Sequence, residues 1–280
     1  VAAVAADAAG QPADALRVTR YTLGVNSRPS VSQDGTRIAF WTTGRHTGQN
    51  NDGNVEIFLA EIQRDDTVRY TQVTSSTGSI LAGFNLGPVL DDAGRRVAFY
   101  SDADLVGENP DRGFEVYLAE VGTTVAITQV SQAARGFSVL PDISGEGRFI
   151  AYVSNDDIYR ADVAYTGAPT PTWAITTTRV TTLTREVGYN DQPSISRDGR
   201  FIAFVSDQDI VPGGNAEDNA NREIFLAEID ASGRVTYTQV TNSLGGINDQ
   251  PSISGDGRRI VFLSDRDYTG DNPSAVRHIF

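Results

Sequence analysis

The sequence predicts an all-β fold, a five-bladed β-propeller of four-stranded antiparallel blades, and three observations lead to it. A proline recurs every 52–59 residues, a turn glycine and an apolar strand follow each proline, and a Thr-rich segment also recurs five times. Repeats at a period of 20–50 residues or slightly more are typical of propellers and other repeat architectures. The five prolines are Pro29, Pro88, Pro141, Pro193 and Pro251.

The clearest copy of the repeat lies between residues 191 and 229. A short first strand, Pro193–Ser196, is followed by Asp198-Gly199 and by the apolar second strand Arg200–Val205. An Asp-Gly pair between two apolar runs favours a tight hairpin whose two central residues both have positive φ. A third strand, Glu223–Glu228, follows after a polar loop.

The same polar loop separates the second and third strands in four of the units. The third unit lacks it, and its third strand, DDIYRADV, begins directly after Asn155. A fourth strand recurs near Val18, Val73, Val130, Val180 and Val240, and it alternates Thr or Tyr with apolar residues. This alternation is typical of an outer strand with one solvated face, whereas the continuously apolar second strand indicates burial on both faces.

The strand count predicts how the repeat closes. The first copy of the fourth strand, Leu16–Thr22, precedes every other strand, while the unit that begins at Pro251 lacks a fourth strand of its own. We therefore expect the N-terminal strand to complete the C-terminal blade, which would remove an open sheet edge. Residues 1–15 are expected to be a flexible Ala-rich segment, and residues 16–280 a single domain. Continuation of the natural chain beyond Phe280, with further blades, stays open.

The pattern Pro-x-x-Ser-x-Asp-Gly-x-x-Ile-Ala-Phe-x-Ser, best seen at Pro193–Ser206 and Pro251–Ser264, resembles the TolB-like (WD40-like) β-propeller repeat. The resemblance implies a propeller that is secreted, periplasmic or part of the bacterial cell envelope and that docks other proteins. Related blades also form gating domains of peptidases. The second and third units depart from the pattern at Ala93-Gly94 and Glu146-Gly147, so we expect no five-fold symmetric site.

Composition excludes several functions. The formal charge of −13 argues against nucleic acid as a partner, because phosphate binding needs a basic surface. There is no Cys and there are only two His, which excludes thiolate chemistry and a His-rich metal site. No apolar run approaches the ~18–20 residues that span a bilayer, so direct membrane insertion is not expected. Protein partners are expected instead.

Polar residues precede or open several of the first strands, and they are the candidate binding residues. The innermost strands of a propeller line its central channel, so these side chains are expected at one channel mouth, where they could orient a polar ligand or a partner. The alternative is that they cap turns and hydrogen-bond neighbouring blades. The candidates are Asn26, Arg28, Asn190, Asp191, Gln192, Asn248, Asp249 and Gln250.

A recurring Asp-x-Asp after the second strand is a candidate calcium site, since Ca²⁺ prefers six to eight oxygen ligands. The spacing fits no EF-hand loop, and a solvated acidic loop is the alternative. Apart from this candidate calcium, no cofactor is expected. The candidate ligands are Asp102, Asp104, Asp207, Asp209, Asp265 and Asp267.

Catalysis has little support in the sequence, because no nucleophile motif is present and neither His has a recognisable partner. Glycoside hydrolysis needs two carboxylates, and Asp142 is the only acid within a first strand, with Asp91 and Asp92 near another. The favoured hypothesis is therefore a non-catalytic binding and scaffold module for protein–protein interaction, secreted or associated with the envelope. The alternatives are a carbohydrate-binding or glycoside-hydrolysing propeller, and one domain of a larger surface or peptidase protein or assembly.

Overall fold

The computed structural model describes residues 2–3, 16–19, 24–77, 83–133, 136–165, 173–183, 188–214, 221–270, 272 and 274–280. Within these residues every regular element is a β-strand and none is a helix, so the predicted all-β fold class is confirmed. The chain divides into two compact units, Val1–Ser138 and Val139–Phe280. The single domain expected over 16–280 stays a prediction.

Five sheets among the described residues correspond to the five predicted blades, and within each sheet sequence neighbours are also spatial neighbours. Blade one contains β3 (Asn26–Val31), β4 (Arg37–Thr42), β5 (Glu56–Ile62) and β6 (Val68–Gln72). Blade two contains β7 (Asn85–Leu90), β8 (Arg96–Ser101), β9 (Glu115–Val121) and β10 (Val125–Gln129). Blade three contains β11 (Ser138–Ile143), β12 (Phe149–Ser154), β13 (Asp157–Tyr165) and β14 (Trp173–Arg179). Blade four contains β15 (Asn190–Ile195), β16 (Phe201–Ser206), β17 (Glu223–Ile229) and β18 (Val235–Gln239). Blade five contains β19 (Asn248–Ile253), β20 (Ile260–Ser264) and β21 (His278–Ile279).

Burial follows the predicted pattern. In β16 every residue after Phe201 is buried, as expected for a strand that is covered on both faces. In β18 partly buried residues alternate with exposed ones, as expected for an outer strand with one solvated face. The core of the second unit lies between adjacent blades, where Phe204 and Phe225 of blade four pack with Val153 of blade three.

The turn between the first two strands differs in type from the prediction. Gly199 has a φ of 73°, but Asp198 keeps an ordinary negative φ. The Asp198 carboxylate accepts hydrogen bonds from the Ser196 hydroxyl (2.8 Å) and the Arg200 amide (3.0 Å). The Gly199 amide donates to the Ser196 carbonyl at 3.0 Å, which closes a four-residue turn. The Asp-Gly pair therefore predicted the hairpin correctly, whereas the two-residue turn type was wrong because the aspartate caps the turn.

Blade two builds the same turn without an aspartate before its glycine. Asp91 stands where the other four blades have serine, and Ala93 stands where three of them have aspartate. One oxygen of Asp91 accepts the amides of both Arg95 (2.8 Å) and Arg96 (3.0 Å). In blade four these two amide contacts are divided between Asp198 and Ser196. A single side chain thus replaces two.

The fourth strands end just before the valines that the sequence placed inside them. Beyond β18, the amides of Val240 (2.8 Å) and Thr241 (3.3 Å) both donate to the Ile224 carbonyl. The Thr241 hydroxyl accepts the Ile224 amide at 2.8 Å, so the regular ladder is interrupted. We call this arrangement the Val-Thr clamp. It recurs at Val73-Thr74, Val130-Ser131 and Val180-Thr181.

At the N-terminus, a two-residue strand β2 (Leu16–Arg17) pairs with β1 (Ala2–Ala3) in a separate small sheet. The strand expected over Leu16–Thr22 is thus seen only at its beginning, and residues 20–23 lie outside the described part, as do residues 4–15. Blade five has three strands among the residues described. Completion of that blade by the N-terminal strand stays a prediction.

Val18 is nevertheless held like a residue of an outer strand. It is buried and packs against Phe40 and Phe58 of blade one. The Tyr70 hydroxyl donates a hydrogen bond to its carbonyl. In the second unit, the Tyr237 hydroxyl donates in the same way to the carbonyl of Val180, the residue that follows the outer strand β14.

Candidate functional site: the inner-strand ends and their loops

Each inner strand contains a left-handed residue immediately before its proline. Gln192 and Gln250 have φ values of 52° and 52°, and the strand register shifts at these points. A β-bulge of this kind bends the strand and redirects a side chain, and left-handed backbone costs an ordinary residue about 1–2 kcal/mol. The other members of the set are Arg28 (51°), Gly87 (57°) and Leu140 (53°).

The asparagines that open the inner strands connect neighbouring blades. The side-chain amide of Asn248 donates to Glu223 Oε2 (3.1 Å) and to the Arg222 carbonyl (2.9 Å) of the preceding blade. Asn190 makes the equivalent contacts to Asp157 Oδ1 (3.2 Å) and the Asp156 carbonyl (3.0 Å). Both asparagines are fully buried. Both side chains therefore hydrogen-bond a neighbouring blade, which was the alternative to binding a ligand.

The partner of each asparagine is a buried carboxylate at the start of the third strand. Glu223 also accepts the Ser243 amide (2.7 Å) and the side-chain amide of Asn221 (2.6 Å). Burial raises the pKa of the equivalent Glu56, and hydrogen bonds from Thr74, Ser76 and Asn54 oppose that rise. Sequence reasoning missed these carboxylates, although their recurrence at the start of four of the five third strands was a visible signal. The set is Glu56, Glu115, Asp157 and Glu223.

The remaining candidates of the second unit lie beside the bulges. Gln192 Oε1 accepts the Gln250 amide at 2.6 Å, so these two inner strands are joined by a side chain. Asp191 is partly buried, and burial is the main reason that its pKa is raised. Asp249 is buried and forms an ion pair with Arg277. Gln250 is exposed at the bulge of β19.

The two candidates of the first unit have different surroundings. Arg28 is exposed at its bulge. Asn26 Oδ1 lies 3.0 Å from His46 Nε2. Burial lowers the pKa of His46, whose ring packs between Phe58 and Tyr70.

The Asp-x-Asp carboxylates accept backbone amides within their own loops. The first aspartate caps the residue before the inner strand, as Asp265 does for the Ile247 amide (2.9 Å), and this bond lowers the pKa of Asp265. The second closes the loop, as Asp267 does for the Asn272 amide (3.0 Å). Asp102, Asp104, Asp207 and Asp209 make corresponding contacts. Among the described residues no three acidic or histidine side chains converge as metal ligands would.

Asp142 lies in the inner strand β11 and bridges to the next blade. Its Oδ2 accepts the Ile195 amide at 2.8 Å, and burial raises its pKa to about 6. Ser194 makes the same contact one blade later, where its hydroxyl accepts the Ile253 amide at 3.2 Å. A carboxyl that titrates near neutrality can transfer protons, but at this position it performs a contact that a serine performs elsewhere.

Repeated antiparallel blades of this construction define a β-propeller, and solved propeller structures are similar to it. A putative TolB from Agrobacterium tumefaciens matches with a TM-score of 0.54 at 18% identity, over 90% of this chain and 73% of that one. TolB from Acinetobacter baumannii matches with a TM-score of 0.51 at 18% identity, over 94% of this chain. This chain covers 53% of that protein, about half its length.

A periplasmic gluconolactonase from Pseudomonas aeruginosa has the same fold, with a TM-score of 0.50 at 14% identity, over 91% of this chain and 65% of that one. No protein-family model and no curated protein matches the sequence. At these identities the likeness establishes the fold. Among the described residues there is no helix long and apolar enough to cross a membrane.

Proposed function

We propose that this propeller is a non-catalytic binding and scaffold module that docks a protein partner through its inner-strand ends. The observation that carries the proposal is that neighbouring residues at these ends have different surroundings. Asn190 and Asn248 are buried and hydrogen-bond the preceding blade, whereas Gln192 and Gln250 lie at strained bulges, with Gln250 exposed. Strained backbone that the surrounding structure maintains is a common feature of functional sites.

The proposed location is the cell envelope or the extracellular space. The resemblance to TolB-like repeats supports it, and the propeller from Pseudomonas aeruginosa is described as periplasmic. Since the chain covers 53% of one TolB protein, it also suits one domain of a larger surface protein or assembly. The complete reading frame tests this second point.

Site-directed photo-crosslinking tests the docking role. A benzophenone amino acid is placed at Gln250, and in a control protein at Thr236 on the outer strand β18, where the side chain is also exposed. We expect one saturable adduct with an envelope protein at Gln250, competed by the unmodified chain, and none at Thr236. Equal adducts at both positions, or none at either, would contradict a docking role for the inner-strand ends.

Glycoside hydrolysis is the second candidate function, and the pKa of about 6 at Asp142 is the observation that favours it. An acid with a raised pKa is suited to protonate a leaving group. Turnover in a glycan hydrolysis screen, abolished by Asp142→Asn with the fold intact, would replace the non-catalytic proposal. Calcium binding by the Asp-x-Asp loops also stays a prediction, and an unchanged melting midpoint after chelation would remove it.

A further inference from the structure

The chain enters blade five through a short loop that holds an apolar side chain in solvent. This loop, residues 243–247, joins the segment after the outer strand β18 to the inner strand β19, and we call it the Leu244 loop. Leu244 is 89% exposed, more than any other large apolar side chain among the described residues, and Ile247 is 38% exposed. Single exposed apolar residues are common on protein surfaces, so the exposure indicates a function only together with the way the loop is held.

The first residue of the Leu244 loop is fixed by blade four. The Ser243 amide donates to Glu223 Oε1 at 2.7 Å, and the side-chain amide of Asn221 donates to the Ser243 carbonyl at 3.0 Å. Ser243 and Glu223 are both buried. Because the amide and the carbonyl of Ser243 are both hydrogen-bonded, the backbone that leads to Leu244 has little conformational freedom.

The last residue of the loop is fixed by blade five. The Ile247 amide donates to Asp265 Oδ1 at 2.9 Å, and the Asp265 amide donates to the Ile247 carbonyl at 3.3 Å. Gly246 has a φ of 85°, and a Cβ at this position would collide with Arg266 Nε and Asp265 Oδ1. The loop is thus anchored at both ends while the Leu244 side chain extends into solvent. An anchored loop loses little conformational entropy when it binds, which favours association.

The surroundings of Leu244 carry little unpaired charge. Residues 235–248 contain no charged side chain, although 21% of the whole chain is charged. Of the acids that hold the loop, Asp265 forms an ion pair with Arg266 at 2.9 Å, and Glu223 is buried. The complement of this surface is therefore apolar, because an uncharged protruding side chain gains by leaving water and not by pairing with an ion.

We propose that Leu244, supported by Ile247, inserts into an apolar pocket of the protein partner that docks at the inner-strand ends. Ile247 immediately precedes β19, which also contains the exposed bulge residue Gln250, so this surface is continuous with the proposed docking site. The formal charge of −13 disfavours the two other occupants, a second copy of the chain and a membrane of anionic lipid. The inference rests on the proposed docking function and names the chemistry of the contact.

Photo-crosslinking from Leu244 tests the contact, with Val31 as the control position. Val31 is exposed and apolar too, but it lies at the opposite end of an inner strand, beside the hairpin turn of blade one. A benzophenone amino acid replaces each residue in turn in the full chain. We expect an adduct at Leu244 with the same protein that is crosslinked at Gln250, and no adduct at Val31.

The affinity of the crosslinked protein, once purified, is then measured for variants of the full chain. Leu244→Ser is expected to weaken binding about tenfold because the apolar contact is lost, and Leu244→Met to bind like wild type. Gly246→Ala keeps the leucine but displaces the loop from Arg266, so it is expected to weaken binding several-fold. The matched control Val31→Ser is expected to bind like wild type. Circular dichroism and thermal melts verify that each variant is folded.

The outcomes separate this inference from the docking function. An adduct at Gln250 with none at Leu244, or binding that Leu244→Ser leaves unchanged, would overturn the inference and leave the docking function standing. Absence of adducts at both positions would contradict both. Equal weakening by Leu244→Ser and Val31→Ser would also overturn the inference. The same holds if Leu244→Ser abolishes dimerisation of the chain or its binding to phosphatidylglycerol vesicles, since a second copy or a membrane would then be the occupant.

Discussion

The Asn248 side chain reaches across from the first strand of blade five to the carboxylate of Glu223 in blade four, at 3.1 Å. Glu223 is fully buried and also accepts donors from Ser243 and Asn221. One carboxylate thus accepts hydrogen bonds from the segment after the outer strand, from the loop before the third strand and from the next blade. Removal of a buried carboxylate with this many partners strongly lowers the free energy of unfolding, because each buried donor loses its acceptor.

Replacement of Glu223 by alanine is therefore expected to lower the free energy of unfolding by about 3–5 kcal/mol, since several buried donors lose their acceptor. Chemical denaturation measures it. The control is Glu228→Ala in the same strand, where an exposed pair with Arg200 is lost and the change is expected to stay below about 1 kcal/mol. Similar losses in the two variants would contradict the importance that we assign to the buried network.

The double role of Asp91 predicts a compensation. Asp91→Ser alone leaves the Arg95 amide without its acceptor and is expected to cost about 1 kcal/mol. Adding Ala93→Asp recreates the Ser-x-Asp-Gly turn of blade four and is expected to restore most of the loss. A double-mutant cycle by thermal denaturation measures the coupling. Additive effects of the two substitutions would refute the proposed exchange of roles.

Gly199 combines positive φ with close packing. A Cβ at this position would lie 2.2 Å from the Phe149 ring of the preceding blade, whereas at Gly233 it would meet nothing within 4 Å. Both glycines have left-handed backbone, at 73° and 86°. Gly233→Ala is expected to cost about 1 kcal/mol from strain, and Gly199→Ala about 1–3 kcal/mol more from the clash. Equal midpoints in urea titrations of the two variants would disprove the packing argument.

Asp142 predicts a dependence of stability on pH. Its pKa is raised from 3.8 in the unfolded chain to about 6 in the fold, so the folded state holds the proton more tightly. The contribution of this group to stability is therefore fully present below about pH 4 and is lost as the pH rises from about 4 through 6. Asp142→Ser, which retains an acceptor for the Ile195 amide, is expected to be about 2–3 kcal/mol more stable than wild type at pH 8.

The difference between wild type and Asp142→Ser is expected to shrink towards pH 4, where the wild-type carboxyl is protonated. Thermal melts of both proteins between pH 4 and pH 8 provide the comparison, and Asp142→Asn is a second uncharged control. A constant difference across this range would mean that the titration of Asp142 does not govern it.

Much of the blade construction could be predicted from local sequence. The proline period, the Asp-Gly pairs and the alternation of apolar residues identify the strands of every repeat, because strand pairing within a blade joins segments that are close in sequence. The sequence also predicted that blade three lacks the long loop, because its third strand begins directly after Asn155. The residues that differ in the turn of blade two could also be recognised from the sequence. Only the structure shows that Asp91 accepts two backbone amides there.

The candidate site was predicted less well. The sequence placed Asn190 and Asn248 at a channel mouth, yet the fold buries both against a carboxylate of the preceding blade. Repeat period, strand order and blade type are thus determined by the sequence alone, since they depend on contacts between neighbouring segments. The tertiary structure decided which polar side chains join the blades and which carboxylates, such as those of Glu56 and Glu223, are buried among them. Those outcomes depend on burial and on partners from another blade, which no local pattern specifies.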